Sequence, residues 1–464
     1  MIRIARVLVV PAVGGYYAED LAALQARSTP VPDRYTAAPL TPGFDAVRQV
    51  AEGVSVGLVL DDGRVAWGDC VGVAYGGKSG RDPVFRTCEG IETIRRAVVP
   101  FLQGRELTSF REQAAQADAL TESLTVIRKK RVSDGALSRR DLFEAPARLW
   151  QALQRKENPS SALEIEEPVA LERRLHTAVR YGVSQALLQA FALARGVTMT
   201  EVIAQEWGLA LPDAPVPIHA QSGGERYHNA DKMIVRRVAS LPHALVDNIP
   251  EQLGQEGDLL LGYVHWLVKR IRQLGGEGYV PTIHLDVHGA LGQICENNLG
   301  RVLGQLHTLE LAAQPYPLRV ECPVMLDSRE AQIQAMRTLR EYTRFRKLQV
   351  QLVADEWVNT LDDIRAFIEA QAADMIQVKM PDLGSIHNTV EAVLACKTAG
   401  VGAFLGGSCA ETDLSARVSA HVALATRPDI VMAKPGLGVD EGIMLLQNEM
   451  ARTLALVSPQ QKSH

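Results

Sequence analysis

From about Leu171 onward, short apolar runs alternate with amphipathic stretches, and this alternation constrains the fold more than any other feature of the chain. The runs are Val216–Ala220, Pro281–Val287, Leu318–Cys322, Val350–Ala354, Met375–Val378, Gly402–Leu405 and Ile430–Ala433. Between the first two, Asp258–Leu274 carries Leu260, Val264, Leu267, Ile271 and Leu274 on one helical face before Gly275-Gly276 ends it. Thr360 and Asp363 have capping-box spacing, and Asn388–Ala399 reads as a helix stopped by Gly400. Strands that are apolar along their length are buried on both faces, the condition of a parallel sheet covered by helices. With this many units the sheet is expected to close. The fold class is therefore α/β, a modified TIM (β/α) barrel over residues 171–464. No Gly-x-Gly-x-x-Gly follows any strand, so an open dinucleotide-binding sheet has no support.

The 464 residues suit a barrel plus a second lobe. Residues 1–170 read as an N-terminal α+β capping domain. Ile2–Val13 is expected to be an edge strand, and Val54–Leu60 and Val65–Cys70 a hairpin about Asp61-Asp62-Gly63-Arg64. Ile91, Ile94, Val98, Phe101 and Leu102 have helical spacing, closed by Gly104. Residues 122–170 differ, with a basic Ile127–Val132, a turn-like Glu157–Ser161 and an acidic Glu164–Glu167. This segment is read as a surface insertion, with a short helix around Leu149–Leu153 and Lys129–Arg131 as a solvated face.

Bulk properties exclude several functions. A net charge of -5, with both signs interspersed, gives no basic stripe for nucleic acid and no patch for a membrane surface. No apolar run approaches the roughly 20 residues that cross a bilayer. The six cysteines are scattered without a Cys-x-x-Cys pair, which points to a reduced, cytoplasmic protein rather than a disulfide framework or zinc knuckle.

Chemistry in a barrel collects at the C-terminal ends of the strands. Asp286 closes Thr282–Asp286, Glu321 closes Leu318–Glu321 and Asp355 closes Leu352–Asp355. The intervals, 321 − 286 = 35 and 355 − 321 = 34, are each one strand–helix–return unit. Buried carboxylates must be paired or hold a metal, and an all-oxygen set of three favours Mg²⁺ or Mn²⁺ over zinc. Gln377 and Lys379 alternate with Val378, so both face inward. A lysine beside a divalent cation has its ammonium form disfavoured, as a general base requires. Gly406-Gly-Ser-Cys409 ends the next strand, where glycines let the backbone approach a ligand closely. Gln221 follows the first barrel strand and His243 the second, and His284 is expected to line the interior. Three acids with lysine and histidine on separate strands fit abstraction of a proton α to a carboxylate, with a cation stabilising the resulting dianion.

Pro42-Gly-Phe44, Gly68-Asp-Cys70, Gly80-Arg-Asp-Pro83, Thr177–Gly182, Ala220–Gly223, Leu241–Leu245, Val353–Trp357, Gln377-Val-Lys379, Gly406–Cys409 and Ala433–Gly442 resemble the methylaspartate ammonia-lyase family of the enolase superfamily, outside residues 122–170. The resemblance implies that Asp286, Glu321 and Asp355 hold Mg²⁺ and that Lys379 removes the C3 proton of the (2S,3S) amino diacid. His243 serves the C3 epimer from the other face. Ammonia then leaves reversibly, giving mesaconate. Gln221, Gln377, Ser408 and Cys409 contact substrate, a monovalent cation (K⁺) assists, and the enzyme is a homodimer.

Five positions depart from the family pattern: Ala74 for glutamine, His219 for phenylalanine, Phe404 for tyrosine, Ser408 for threonine and Met432 for leucine. In the family these border the 3-alkyl group and the amine, so the departures imply a roomier pocket and substrates such as 3-ethylaspartate. The alternatives are another superfamily reaction (acid-sugar dehydration or racemisation) and a non-catalytic homologue. The first often carries Lys-x-Lys on the second barrel strand, which is absent from Met233–Val238. The second would have lost a ligand or base, and none is lost.

Overall fold

The computed structural model describes residues 2–26, 33–132 and 163–457. They form two compact units, Met1–Ala119 with His176–His464, and Leu120–Leu175.

The larger unit opens with an antiparallel sheet of β1 (Ile4–Glu19), β2 (Arg48–Leu60) and β3 (Val65–Val71), in that order. The expected hairpin is β2–β3, and the expected edge strand is β1. Beyond its register shift between Val13 and Tyr17, β1 rises onto the loop after the seventh barrel strand, and Gly15 N–H donates to Ala410 O at 2.9 Å. Only glycine fits there, since a Cβ on Gly15 would stand 2.2 Å from Glu411 O. The helix expected near Ile91 is present but widens to a π-helix over Ile94–Val98. Pro100 follows at once, and its missing N–H cannot bond the carbonyl four residues back. Helix Thr177–Arg195 packs on β3 so tightly that a Cβ on Gly182 would lie 2.4 Å from Cys70 N.

The smaller unit pairs β4 (Thr121–Val132) with β5 (Leu163–Arg174) antiparallel. Along this pair the basic run Arg128–Arg131 lies in register opposite Glu164–Glu167. The helix expected around Leu149–Leu153 lies outside the described residues.

Eight parallel strands then close a barrel in sequence order. They are β6 (Ile218–His219), β7 (Ser240–His243), β8 (Thr282–Asp286), β9 (Leu318–Glu321), β10 (Gln351–Ala354), β11 (Met375–Lys379), β12 (Gly402–Gly406) and β13 (Ile430–Met432), with β13 pairing back to β6. The second strand is Ser240–His243. The Met233–Val238 stretch instead finishes helix Arg226–Val235 and its turn, although Ser240–His243 also lacks Lys-x-Lys. The capping box at Thr360 and the helix Asp258–Leu274 form where expected. Inside the barrel Val353, Met375, Phe404, Ile430 and Met432 pack as one cluster.

Past the strand ends the backbone repeatedly enters the left-handed region at residues with side chains: His243, Ala244 and Leu245 after β7, His288 after β8, Cys322 after β9 and Trp357 after β10. Each such residue costs about 1–3 kcal/mol and persists only where surrounding structure enforces it. Four successive strand tips carrying this strain mark one end of the barrel as the working end.

Candidate active site

The expected residues converge at that end. A small cavity of about 30 Å³ is lined by Ala74, Gln221, His243, Asp286, Asp355, Gln377, Lys379, Ser408, Cys409 and Met432, together with Tyr75, Arg81, Leu245 and His288. Glu321 is fully buried beside it. Two residues stand apart. His219 and Phe404 do not line the cavity but lie beneath it in the barrel interior, their rings 5.1 Å apart, where β6 and β12 turn those side chains inward.

The three acids sit on adjacent strands, with Asp286 and Glu321 directly paired in register and Glu321 opposite Val353. Each is engaged by a different neighbour. Asp286 Oδ2 is 3.2 Å from His243 Nε2 and 3.0 Å from His288 Nε2. Burial opposes its ionisation, but His288 and His243 override this and hold the carboxyl well below the usual carboxylate range. Glu321 accepts from Gln377 Nε2 and lies 2.7 Å from His284 Nε2. Burial, with Asp286 and Asp355 adding repulsion, pushes its pKa well up. Asp355 accepts from Lys379 Nζ at 2.8 Å and from Arg81 at 3.3 Å.

Arg81 was not singled out from the sequence beyond its place in Gly80–Pro83. Its buried guanidinium bonds Glu356 at 2.6 Å and Asp382 at 2.8 Å as well as Asp355, tying the capping lobe to two barrel loops. Burial disfavours the charge of Lys379, yet Asp355 overrides burial and its pKa is raised. A divalent cation held by Asp355 would weaken that pairing and favour the neutral amine.

The donor chemistry fits a hard divalent cation. Among the described residues, the buried carboxyls of Asp286, Glu321, Asp355, Glu356 and Asp382 outnumber the cations Arg81 and Lys379 beside them, and the burial and crowding that raise Glu321 are what a divalent cation would relieve. Another set, His243, His284 and Glu321, has its donor atoms within 4.8 Å of one another. Those donors are already committed to neighbours: His284 Nε2 to Glu321, and His243 Nδ1 to His219. We read that set as a hydrogen-bonded layer rather than a ligand set.

Around the rim, Cys409 Sγ lies 3.8 Å from Gln221 Oε1, and burial pushes its thiol up to about 12, which excludes it as a thiolate nucleophile. Ser408 N–H donates to Glu411, which also pairs with buried Lys434 at 3.0 Å. The missing Cβ of Gly406 faces Gln377, and that of Gly407 faces the Lys434–Glu411 pair, while Gly407 also lines the cavity.

Comparison with known proteins decides the family. Residues 210–459 match the model described as methylaspartate ammonia-lyase C-terminus, and residues 2–135 and 147–208 match its N-terminus. The chain belongs to the methylaspartate ammonia-lyase family. It is a carbon–nitrogen lyase of the ammonia-lyase type. Within the N-terminal match the gap is 136–146, narrower than 122–170, and the two matches meet after helix Met199–Trp207. Methylaspartate ammonia-lyase 2 of Carboxydothermus hydrogenoformans is 43% identical over 98% of each chain. The Mg complex of β-methylaspartase from Clostridium tetanomorphum is 40% identical, covers 98% of this chain and 99% of its own, and superposes with a TM-score of 0.80. The Citrobacter amalonaticus enzyme containing (2S,3S)-3-methylaspartic acid is 39% identical over 98% and 99%, with a TM-score of 0.84.

Proposed function

We propose that this enzyme eliminates ammonia reversibly from 3-alkylaspartates, converting 3-methylaspartate to mesaconate and 3-ethylaspartate to ethylfumarate through an enolate. One observation carries the reading. Lys379 ends β11 and His243 ends β7, four strands apart in an eight-stranded barrel, so the two candidate bases look at the cavity from opposite walls.

Asp286, Glu321 and Asp355 would hold Mg²⁺, which supplies positive charge beside the substrate carboxylate that gains electrons as C3 loses its proton. Lys379 Nζ takes the C3 proton of the (2S,3S) substrate and the C–H electron pair moves into the carboxylate; that pair then forms the C2=C3 double bond as the C2–N bond breaks and ammonia leaves with its electrons. His243 takes the C3 proton of the epimer from the other wall. Gln377 Oε1 is buried without a hydrogen-bond partner, which supports a role accepting from the substrate amine. Ser408, Cys409 and Gln221 complete the polar wall. Ala74 and Ser408 bring small side chains and Met432 a deformable one to the lining, which supports room for an alkyl group larger than methyl. K⁺ as a second cation and a homodimeric assembly complete the proposal on family grounds. Six free cysteines support a reducing, cytoplasmic setting.

The test is a base-by-base assay with Mg²⁺ and K⁺ present, following formation of the unsaturated diacid. Lys379→Ala is expected to lose (2S,3S) turnover, and His243→Ala mainly turnover of the C3 epimer. Equal loss of both activities in both variants would overturn the two-wall assignment.

A further inference from the structure

Against the loop that follows β12 stands a buried ion pair that the proposed chemistry has not used. Lys434, two residues past β13, is 1% exposed, and Glu411 is fully buried. Lys434 Nζ donates to Gly406 O at 3.0 Å and lies 3.0 Å from Glu411 Oε2. The same Oε2 accepts the N–H of Ser408 at 2.8 Å. Glu411 Oε1 accepts the hydroxyl of Tyr181, on helix Thr177–Arg195, at 2.6 Å. The pair thus joins the first residue of the loop to its last and pins Ser408 between them. Gly407 passes so close that a Cβ there would overlap both Glu411 Oε2 and Lys434 Nζ.

Gly407, Ser408 and Cys409, inside this clasp, line the cavity. Ser408 Oγ accepts from Ala410 N–H at 3.2 Å, and its own hydroxyl proton can be donated to a substrate. A buried ion pair is a poor route to stability alone, since apolar side chains of similar volume often serve as well or better. What apolar side chains lack is direction. Here one carboxylate receives an ammonium, a backbone N–H and a phenol, and each fixes a different part of the loop or anchors it to the helix.

We propose that Lys434 and Glu411, backed by Tyr181, are positioning residues that hold Ser408 and Cys409 where they meet the substrate. The inference rests on the reading of Ser408 and Cys409 as substrate contacts. The carboxylates assigned to Mg²⁺ stand at the ends of β8, β9 and β10, whereas the clasp joins the ends of β12 and β13. Lys434 and Glu411 therefore act through the loop and not on the metal or the reacting atoms. Contacts from this loop are made to bound substrate and transition state alike, so misplacing it weakens binding and raises KM more than it lowers kcat.

The experiment compares wild type, Glu411→Gln, Glu411→Leu, Lys434→Met and the double variant Lys434→Met/Glu411→Leu as full-length, Mg²⁺-loaded enzyme acting on 3-methylaspartate. Each single apolar change strands one buried charge, so both should melt below wild type, and the double variant should melt above either. KM should part from stability. Glu411→Leu and the double variant both lack the acceptor for Ser408 N–H. Their KM is expected to rise by about 10–100-fold, as when one hydrogen bond to a carboxylate is lost, with kcat nearly unchanged. Glu411→Gln keeps a carbonyl for Ser408 N–H and should recover most of the KM, although Lys434 loses its counter-ion. Mg²⁺ affinity, read by calorimetry, should match wild type in every variant.

A double variant that regains both melting temperature and wild-type KM would reduce the pair to packing and overturn the proposal. Wild-type KM in Glu411→Leu would overturn it too, as would a KM rise matched by an equal loss of Mg²⁺ affinity. If a single apolar variant does not fold, the double variant and Glu411→Gln still decide the matter. If Ser408→Ala keeps wild-type KM, the substrate-contact reading itself fails, and that result is separate from the comparison of KM with melting temperature.

Discussion

Arg81 is the residue on which the site's charge balance most depends, and its removal gives a quantitative test. The guanidinium is 1% exposed and reaches Glu356, Asp382 and Asp355 at 2.6, 2.8 and 3.3 Å. Arg81→Met keeps the length of the side chain and removes the charge, stranding three buried carboxylates. Removing one partner of a buried ion pair costs about 3–5 kcal/mol, a large part of the roughly 5–15 kcal/mol that stabilises a typical protein. The cost has a sign in pH. In the wild type Asp355 is held below its ordinary value, since Lys379 and Arg81 outweigh the effect of burial, so it contributes stability above its unfolded pKa that is lost as pH falls. Asp382 is already raised by burial despite Arg81. Without Arg81 both carboxyls move up in the folded state, which then binds more protons than the unfolded chain. The stability of the variant therefore falls as pH rises above the unfolded carboxylate range near 4. The deficit against wild type should grow with pH and be larger near pH 8 than near pH 5. Urea unfolding followed by tryptophan fluorescence would read it, since Trp357 adjoins Glu356 in the same loop. A deficit below about 1 kcal/mol at pH 8, or one as large at pH 5 as at pH 8, would refute the charge argument.

Three further outcomes are expected. Asp355→Ala should remain folded by circular dichroism yet give no calorimetric signal for Mg²⁺, and tight Mg²⁺ binding by this variant would remove Asp355 from the ligand set. Gly182→Ala should lower the melting temperature, because the new Cβ meets Cys70 N and Sγ and Asp69 C within 2.4–2.6 Å; overpacking of this kind costs about 1–3 kcal/mol. A melting point equal to wild type would show that the helix can shift off β3 freely. The kcat/KM for 3-ethylaspartate should equal or exceed that for 3-methylaspartate, and a preference for methyl of about tenfold, which one methylene can supply, would rule out the enlarged pocket.

The strand-end acids were legible because one strand–helix–return unit has a nearly fixed length, so spacing alone put Asp286, Glu321 and Asp355 at the same height. The inward direction of Gln377 and Lys379 was legible from the two-residue period of a strand. The hairpin β2–β3, the helix Asp258–Leu274 and the capping box at Thr360 are likewise set by neighbours a few residues away. Where local signals were weak, boundaries moved: β6 retains only Ile218–His219 of the expected five residues, and Met233–Val238 became the end of a helix.

Other features depend on which distant segments meet. Arg81 and Asp382 are 301 positions apart and bond only because the capping lobe folds over the barrel mouth. The same guanidinium helps to keep Asp355 ionised. His219 read as a pocket-wall substitution from the sequence, yet the twist of β6 turns it inward, under His243 and beside Ser240. The sequence by itself determined the barrel, the height of its acids and the chemical types available at its mouth, because those follow from periodicity and local hydrogen bonding. Only the tertiary structure decided which carboxylate pairs with which cation and which residues flank His243, because such pairings depend on distances between residues that the chain order leaves unrelated.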